Sequence, residues 1–242
     1  MNELSLRQKL LFELNGQEKT LPELYESFPE EKRTTIRGRL NEAIDKYFKR
    51  VSNGVYTAIL GRFQVVYADP AWEYSNTSSR GAAENHYGVM KLDDIKNLPV
   101  KDLCKKDAVL FLWATPPLLK NALEVMESWG FTYKTVAFVW IKLNKDGTPF
   151  LGMGNYTRAN AELCLLGIKQ KGVKVQKHNV SQIVQSIREI LSKKPSTIYK
   201  SIEDLHGDCE RLELFARHSR EGWVTWGNQL SGESQKTLER IE

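Results

Sequence analysis

The sequence predicts an α/β fold, a sandwich of helices about a mixed β-sheet, preceded by a small winged helix-turn-helix unit. Three observations carry that expectation. Apolar residues fall at helical spacing up to about residue 58, and short apolar runs alternate with helical stretches beyond residue 60. Several of those runs are almost continuously apolar, as strands covered on both faces must be. The expected division is therefore 1–58 and 59–242.

In the first part, Leu6, Leu10, Leu11 and Leu14 share one helical face, and Leu21, Leu24, Tyr25 and Phe28 another. A third helix is expected from about Glu30 to Tyr47, with Ile36, Leu40, Ile44 and Tyr47 on its apolar side. Phe48–Val51 and Val55–Ala58 flank Ser52-Asn53-Gly54, and an Asn-Gly pair between β-prone runs is a hairpin signal. Three short helices and a hairpin make a winged helix-turn-helix, a module that lays its third helix in a major groove or docks on another protein. In the second part the expected strands are Phe63–Ala68, Ala108–Thr115, Thr135–Lys142, Ala161–Lys169, Gln182–Arg188, Arg211–Ala216 and Trp223–Gly227. Helices are expected over Pro117–Trp129, after the Thr115-Pro116 stop, and over Pro195–Leu205, with Pro195 in its first turn. Ligands of such sheets bind beyond the carboxyl ends of the strands, where Asp69 and Arg217 fall.

Composition bounds the partners. The 242 residues carry a net charge of +5, concentrated in two stretches. Residues 32–50 hold Lys32, Arg33, Arg37, Arg39, Lys46, Lys49 and Arg50 against Glu42 and Asp45. Residues 169–194 hold Lys169, Lys171, Lys174, Lys177, Arg188, Lys193 and Lys194 against Glu189. Each stretch alone is equally well a solvated face; together they suggest a polyanion touched at two places, with Arg33, Arg37, Arg39, Lys174, Lys177 and Arg188 as candidate contacts. No apolar run approaches the ~20 residues of a membrane span. Cys104, Cys164 and Cys209 are scattered, without metal-ligand spacing to each other or to histidine, so no metal site is expected. Reduced core thiols and an N-terminus unlike a signal peptide set the expectation of a cytoplasmic protein.

The run into Asp69-Pro70-Ala71-Trp72 is the candidate chemical centre. An exocyclic amine conjugated to a purine is a poor nucleophile, because its lone pair is delocalised. A carboxylate and a fixed carbonyl, each accepting one N–H, would draw that nitrogen toward a tetrahedral geometry. Asp69 offers the carboxylate, and Pro70 a carbonyl aimed by its locked φ. Both would also favour the positive charge that grows on nitrogen during alkylation. Trp72 offers a face for a stacked base, worth about 1–3 kcal/mol. The same four residues serve equally as a turn that packs a tryptophan.

A wider pattern separates these readings. The run from Ile59 through Phe63–Ala68 into Asp69-Pro70-Ala71-Trp72 resembles the catalytic strand and motif of the MT-A70 family of N6-adenine methyltransferases. His86-Tyr87-Gly88-Val89-Met90, Leu110–Thr115, Phe138–Lys142 and Asn160–Gly167 follow in the family's order, then Lys194-Pro195, Leu212–Arg217 and Gly222–Gln229. The resemblance spans residues 59–230 and implies a Rossmann-like methyltransferase sandwich using S-adenosylmethionine. It implies that Asp69 and Pro70 hold the adenine amine, with Trp72 beside the base and Tyr87 over it. It further implies that Lys194 anchors the cofactor's carboxylate, that Asp69 also adjoins the cofactor, and that Glu213, Arg217, Asn228 and Gln229 hold its ribose and neighbouring groups. Trp140, Lys142 and Glu162 match less specific family positions. Ala71 stands where the family usually has proline, and Leu191 where it often has histidine. An acidic residue that contacts the cofactor's adenine in some relatives has no equivalent among Val51–Tyr56. The expected activity is methylation of adenine N6 in DNA. The alternatives are an RNA N6-adenosine methyltransferase or an inactive nucleic-acid-binding platform. A homodimer is the assembly that such relatives suggest.

Overall fold

The computed structural model describes residues 6–45, 47–72, 90–154, 156–189 and 193–227. The chain opens with helix α1 (Leu6–Glu13), strand β1 (Lys19–Thr20), α2 (Leu21–Ser27), α3 (Arg33–Glu42) and a hairpin of β2 (Phe48–Ser52) and β3 (Val55–Ala58). The three strands lie antiparallel in the order β1-β3-β2. Helix α2 starts where it does because Thr20 and Glu23 form a reciprocal cap: the Glu23 carboxylate accepts from the Thr20 amide at 2.7 Å, and the Thr20 hydroxyl accepts from the Glu23 amide. The hairpin turns where expected, with Gly54 at φ +76°.

The third helix is shorter than its apolar spacing suggests, ending at Glu42 rather than near Tyr47. Asp45 adopts φ +61°, and its amide bonds the Phe48 carbonyl at 2.9 Å. That turn takes Tyr47 off the helix.

The remaining elements are β4 (Phe63–Ala68), α4 (Leu92–Lys96), α5 (Val100–Leu103), β5 (Cys104–Ala114), a 3-10 turn at Pro116–Leu118, α6 (Leu119–Ser128), β6 (Thr132–Leu143), β7 (Ala161–Lys169), β8 (Ile183–Ile187), α7 (Thr197–His206), β9 (Arg211–Leu214) and β10 (Val224–Trp226). Among the described residues these strands form one seven-stranded sheet in the order β10-β9-β4-β5-β7-β6-β8. Only β7 runs against the rest of this sheet. From β4 the chain moves outward through β5 and later returns to β9 on the other side. The order therefore reverses at β4, and a crevice opens beyond its carboxyl end. This is the mixed-sheet sandwich that the alternating pattern predicts, and it is Rossmann-like as the family resemblance implies.

Alternation along the strands sorts the core. Val66, Ala68, Leu110, Leu112, Leu212 and Leu214 join Val125, Met126 and Trp129 around α6. Val65, Tyr67, Val109, Phe111 and Trp113 face Ile198 and Ile202 of α7. The first cluster also takes in Leu10, Leu24, Ile36, Leu40 and Tyr47, so the apolar core is continuous across residue 58. Cys104 and Cys164 are buried and Cys209 half-buried; burial pushes the Cys104 thiol up to about 12.

Candidate active site

Asp69 is the first residue beyond β4, and both its carboxylate oxygens accept from Lys194 Nζ at 2.7 Å. Lys194 also faces Glu162 Oε2 at 3.1 Å, and the other oxygen of Glu162 accepts from Lys142. Glu162 is the second residue of β7. Because that strand is reversed, its start lies at the same sheet end as the finish of β4. The indole rings of Trp113 and Trp140 floor this cluster, 5.3 Å from Lys194 Nζ and 4.9 Å from Lys142 Nζ respectively.

Two ammonium groups against two carboxylates leave the cluster balanced. Burial pushes the Asp69 carboxyl above the ordinary aspartate value, with Lys194 pulling against it and Glu162 adding to it. Burial also opposes the Lys194 charge, but Asp69 and Glu162 outweigh it and hold the ammonium above the ordinary lysine range. Glu162 stays below its usual value because Lys194 and Lys142 overcome burial. A lysine held between two carboxylates has its three donors engaged, so it can meet a further anion only by exchanging one of these partners.

One strand across from β4, Glu213 pairs in register with Tyr67. Its Oε1 accepts from the Tyr199 hydroxyl at 2.7 Å. Burial pushes this carboxyl up to about 7, with Tyr199 working against the shift. Tyr67, Tyr199 and Trp223 form an aromatic wall, with ring centroids 5.1–6.1 Å apart, and the Arg220 guanidinium lies 3.6 Å from the Tyr199 ring centroid. Just past β9, Phe215 holds φ +63°, and its ring meets Trp226 edge-on. A Cβ on Gly227 would lie 2.2 Å from the Ala216 carbonyl oxygen, so only glycine lets the ends of β9 and β10 close on each other. Arg217 follows that turn, and its charge draws the Asp69 carboxyl down.

A profile of the MT-A70 family matches residues 63–229, from the first residue of β4 through the segment after β10. The chain belongs to the MT-A70 family. Among similar proteins is the type II methyltransferase M.MunI of Mycoplasma sp, 33% identical over 188 residues that cover 70% of this chain and 78% of that protein. Another is a probable N(6)-adenosine-methyltransferase MT-A70-like of Oryza sativa subsp. japonica, 34% identical over 183 residues, 72% of this chain and 24% of the relative. The N(6)-adenosine-methyltransferase catalytic subunit METTL3 of Homo sapiens is 32% identical over 185 residues, 72% of this chain and 29% of the relative. The chain thus spans most of the first of these and about a quarter of the other two.

Among the residues that the MT-A70 resemblance points to, Asp69, Lys194, Glu213 and Arg217 converge at the crevice. Tyr87, Asn228 and Gln229 lie outside the described residues. The Pro70 carbonyl accepts from the Trp72 amide at 3.0 Å, which leaves its second lone pair for another donor. Trp72 departs from the expectation of an open stacking face. It is 7% exposed, its indole N–H donates to the Trp113 carbonyl at 3.2 Å, and the ring pins the turn onto the sheet. Lys142 and Glu162, which match less specific family positions, meet as a pair at the same end of the sheet, while Tyr199 and Arg220 bring groups that no local motif isolates.

The basic residues disperse. Arg37 lines a cavity of about 530 Å³ between α3 and the β2–β3 hairpin, with Asn41, Arg50, Asn53 and Tyr56. Arg33 lies over the Tyr25 ring at 5.3 Å, and Arg39 is paired with Glu42 at 2.8 Å. Arg188 stacks on Phe150 at 4.1 Å on the crevice side of the sheet. Lys174 and Lys177 follow the far end of β7, about 25 Å of strand from Asp69, and Lys177 is paired with Asp204. Among the described residues no cluster of ligating side chains suits a metal ion, and no helix is long and apolar enough to cross a membrane.

Proposed function

We propose that this protein transfers a methyl group from S-adenosylmethionine to N6 of adenine in DNA. The observation that carries the reading is the pairing of Asp69 with Lys194 just beyond β4, with Glu213 near the end of the adjacent strand β9, in a chain of the MT-A70 family. Lys194 would take the amino-acid carboxylate of the cofactor, and Glu213 the ribose hydroxyls, with Arg217, Asn228 and Gln229 completing the hold. Their chemistry fits: a buried ammonium for a carboxylate, and a buried carboxyl, raised to about 7, that accepts from hydroxyls when ionised. When bound, S-adenosylmethionine supplies an electrophilic methyl on its sulfonium.

The Asp69 carboxylate and the Pro70 carbonyl each accept one N–H of the adenine amine, localising its lone pair for in-line attack. Asp69 would also stabilise the positive charge that arrives on the nitrogen as it takes the methyl group. As Lys194 turns toward the incoming carboxylate, the Asp69 oxygens regain acceptor capacity. Tyr87 is the proposed aromatic neighbour of the base. A target within a duplex has to be flipped out at a cost of a few kcal/mol.

DNA is favoured because the chain aligns with 78% of a type II methyltransferase but with 24–29% of the adenosine methyltransferases. The order of α1, β1, α2, α3, β2 and β3 supports a winged helix in residues 1–58. The Arg37, Asn41, Arg50 and Asn53 cavity is its natural nucleic-acid contact, while Arg188 serves at the crevice rim. The test is transfer from labelled S-adenosylmethionine to double-stranded DNA, single-stranded DNA and RNA, with nucleosides resolved and Asp69→Ala alongside. Label in N6-methyladenine of DNA that disappears in the variant supports the proposal. Label confined to RNA moves the substrate to the alternative, and absence of both transfer and cofactor binding leaves an inactive platform.

A further inference from the structure

We infer that Tyr47, outside the family-matched region, is a positioning residue for the cofactor end of the site, so that the N-terminal unit helps to build that site. The family match begins at Phe63. Tyr47 is 3% exposed, and its hydroxyl donates to the backbone carbonyl of Thr225 in β10.

The position of that carbonyl gives the contact its weight. Strand β10 is the edge of the sheet beyond β9. The Trp226 carbonyl turns inward, accepting from the Ala216 amide at 3.0 Å. Carbonyls alternate along a strand, so that of Thr225 turns outward, where no described strand pairs with it. Tyr47 fills that vacancy. Its own backbone is held at both ends: its amide bonds the Ala43 carbonyl at 2.9 Å, and its carbonyl accepts from Ile59 at 2.8 Å. A second tie holds the other end of β9, where Arg62 donates to the Asp45 carbonyl and to Glu210 Oε2 at 3.1 Å.

Thr225 is the register partner of Glu213, and two residues later Gly227 seats against Ala216 without room for a Cβ. A β10 strand released on its outer side would shift against β9 and so against Glu213. The inference rests on the reading of Glu213 as cofactor-binding.

The test uses the full chain with Tyr47→Phe, which keeps the buried ring and removes only the hydroxyl. Asn15→Ala is the control, because it breaks another tie between the N-terminal unit and the rest, the 2.8 Å bond from Asn15 to Asp102. Calorimetric titration with S-adenosylmethionine is read beside turnover and melting temperature. Loss of one hydrogen bond that orders the site should weaken cofactor binding about three- to tenfold in Tyr47→Phe. Turnover at saturating cofactor and KM for nucleic acid should stay within about twofold, and Asn15→Ala should bind as wild type. Wild-type affinity in Tyr47→Phe, or equal weakening in both variants, overturns the positioning role. Failure of the wild-type protein to bind S-adenosylmethionine would instead strike the cofactor reading itself.

Discussion

Lys194→Met removes the cation that both Asp69 and Glu162 share while keeping a side chain of similar length. Glu162 retains Lys142, so the group left without its closest cation is Asp69. Breaking one side of a buried pair costs about 3–5 kcal/mol. The low end applies here, because the Asp69 side chain keeps 25% exposure and water can reach it. For a chain of this size about 3 kcal/mol lowers the melting temperature by roughly 6–12 °C. Replacing Asp69 by asparagine in the same chain removes the stranded charge, so Lys194→Met with Asp69→Asn should melt higher than the sum of the two single losses allows, by about 1–3 kcal/mol of coupling. Thermal unfolding of the four proteins at pH 7.5 measures that coupling, and titration with S-adenosylmethionine measures the second role. Loss of a charge-assisted contact to the cofactor carboxylate should weaken binding about 10- to 100-fold. A melting point within 2 °C (roughly 1 kcal/mol or less) of wild type with additive losses would refute the electrostatic account. Unchanged cofactor affinity would refute the carboxylate anchor alone.

Asp69→Asn should lower turnover about 100- to 1,000-fold while cofactor affinity changes little, checked by single-turnover methyl transfer beside titration. Glu213 sets a pH dependence. Its folded value of about 7 lies above the ordinary 4.5, so its contribution to stability is full below about 4.5 and is lost as pH rises through 7. Ribose hydroxyls donate to the ionised form, so the KM for S-adenosylmethionine should fall roughly five- to tenfold from pH 6 to 8, and Glu213→Gln should flatten that profile. Two glycines should respond in opposite directions in thermal melts. Gly227→Ala forces a Cβ onto the backbone of Ala216 and should abolish cofactor binding, whereas Gly38→Ala, in open space on α3, should stabilise by about 0.5–1 kcal/mol.

Much of this architecture is legible before folding, for physical reasons that also mark where legibility stops. Phe63–Ala68 and Ala161–Lys169 read correctly to the residue because strands covered on both faces are almost continuously apolar. The third helix reads too long because Ile44 and Tyr47 continue its apolar spacing, although Ile44 bridges to Phe48 around the Asp45 turn and Tyr47 reaches Thr225 beyond it. Asp69 announces itself by local chemistry at a strand end, and Lys194 and Glu213 through their place in a family pattern. Tyr199 and Arg220 carry no such mark, since their partners lie across the fold. Charge density misleads most: Lys174 and Lys177 belong to the same basic stretch as Lys194, yet the intervening chain carries them to opposite ends of the sheet. Linear clustering records how many charges a segment bears and is silent on which way its strand points.

The single reversed strand has a consequence for how such a protein diversifies. Since β6 rises to the crevice and β7 descends from it, the 144–160 connection leaves and re-enters the sheet on the same rim. It presents Leu151, Met153 and Tyr156 to solvent, with Arg158 alongside. Its exposed side chains can be exchanged without changing the register of any strand, because both anchors are already hydrogen-bonded through Lys142, Asn160 and Ala161, while Gly152 and Gly154, with no room for a Cβ, hold its shape. The groups proposed for methyl transfer sit on the strands and beside them, where the sheet tolerates little change. What approaches them is met by a loop that can drift almost independently, so one chemical engine can be refitted to new targets by editing its rim.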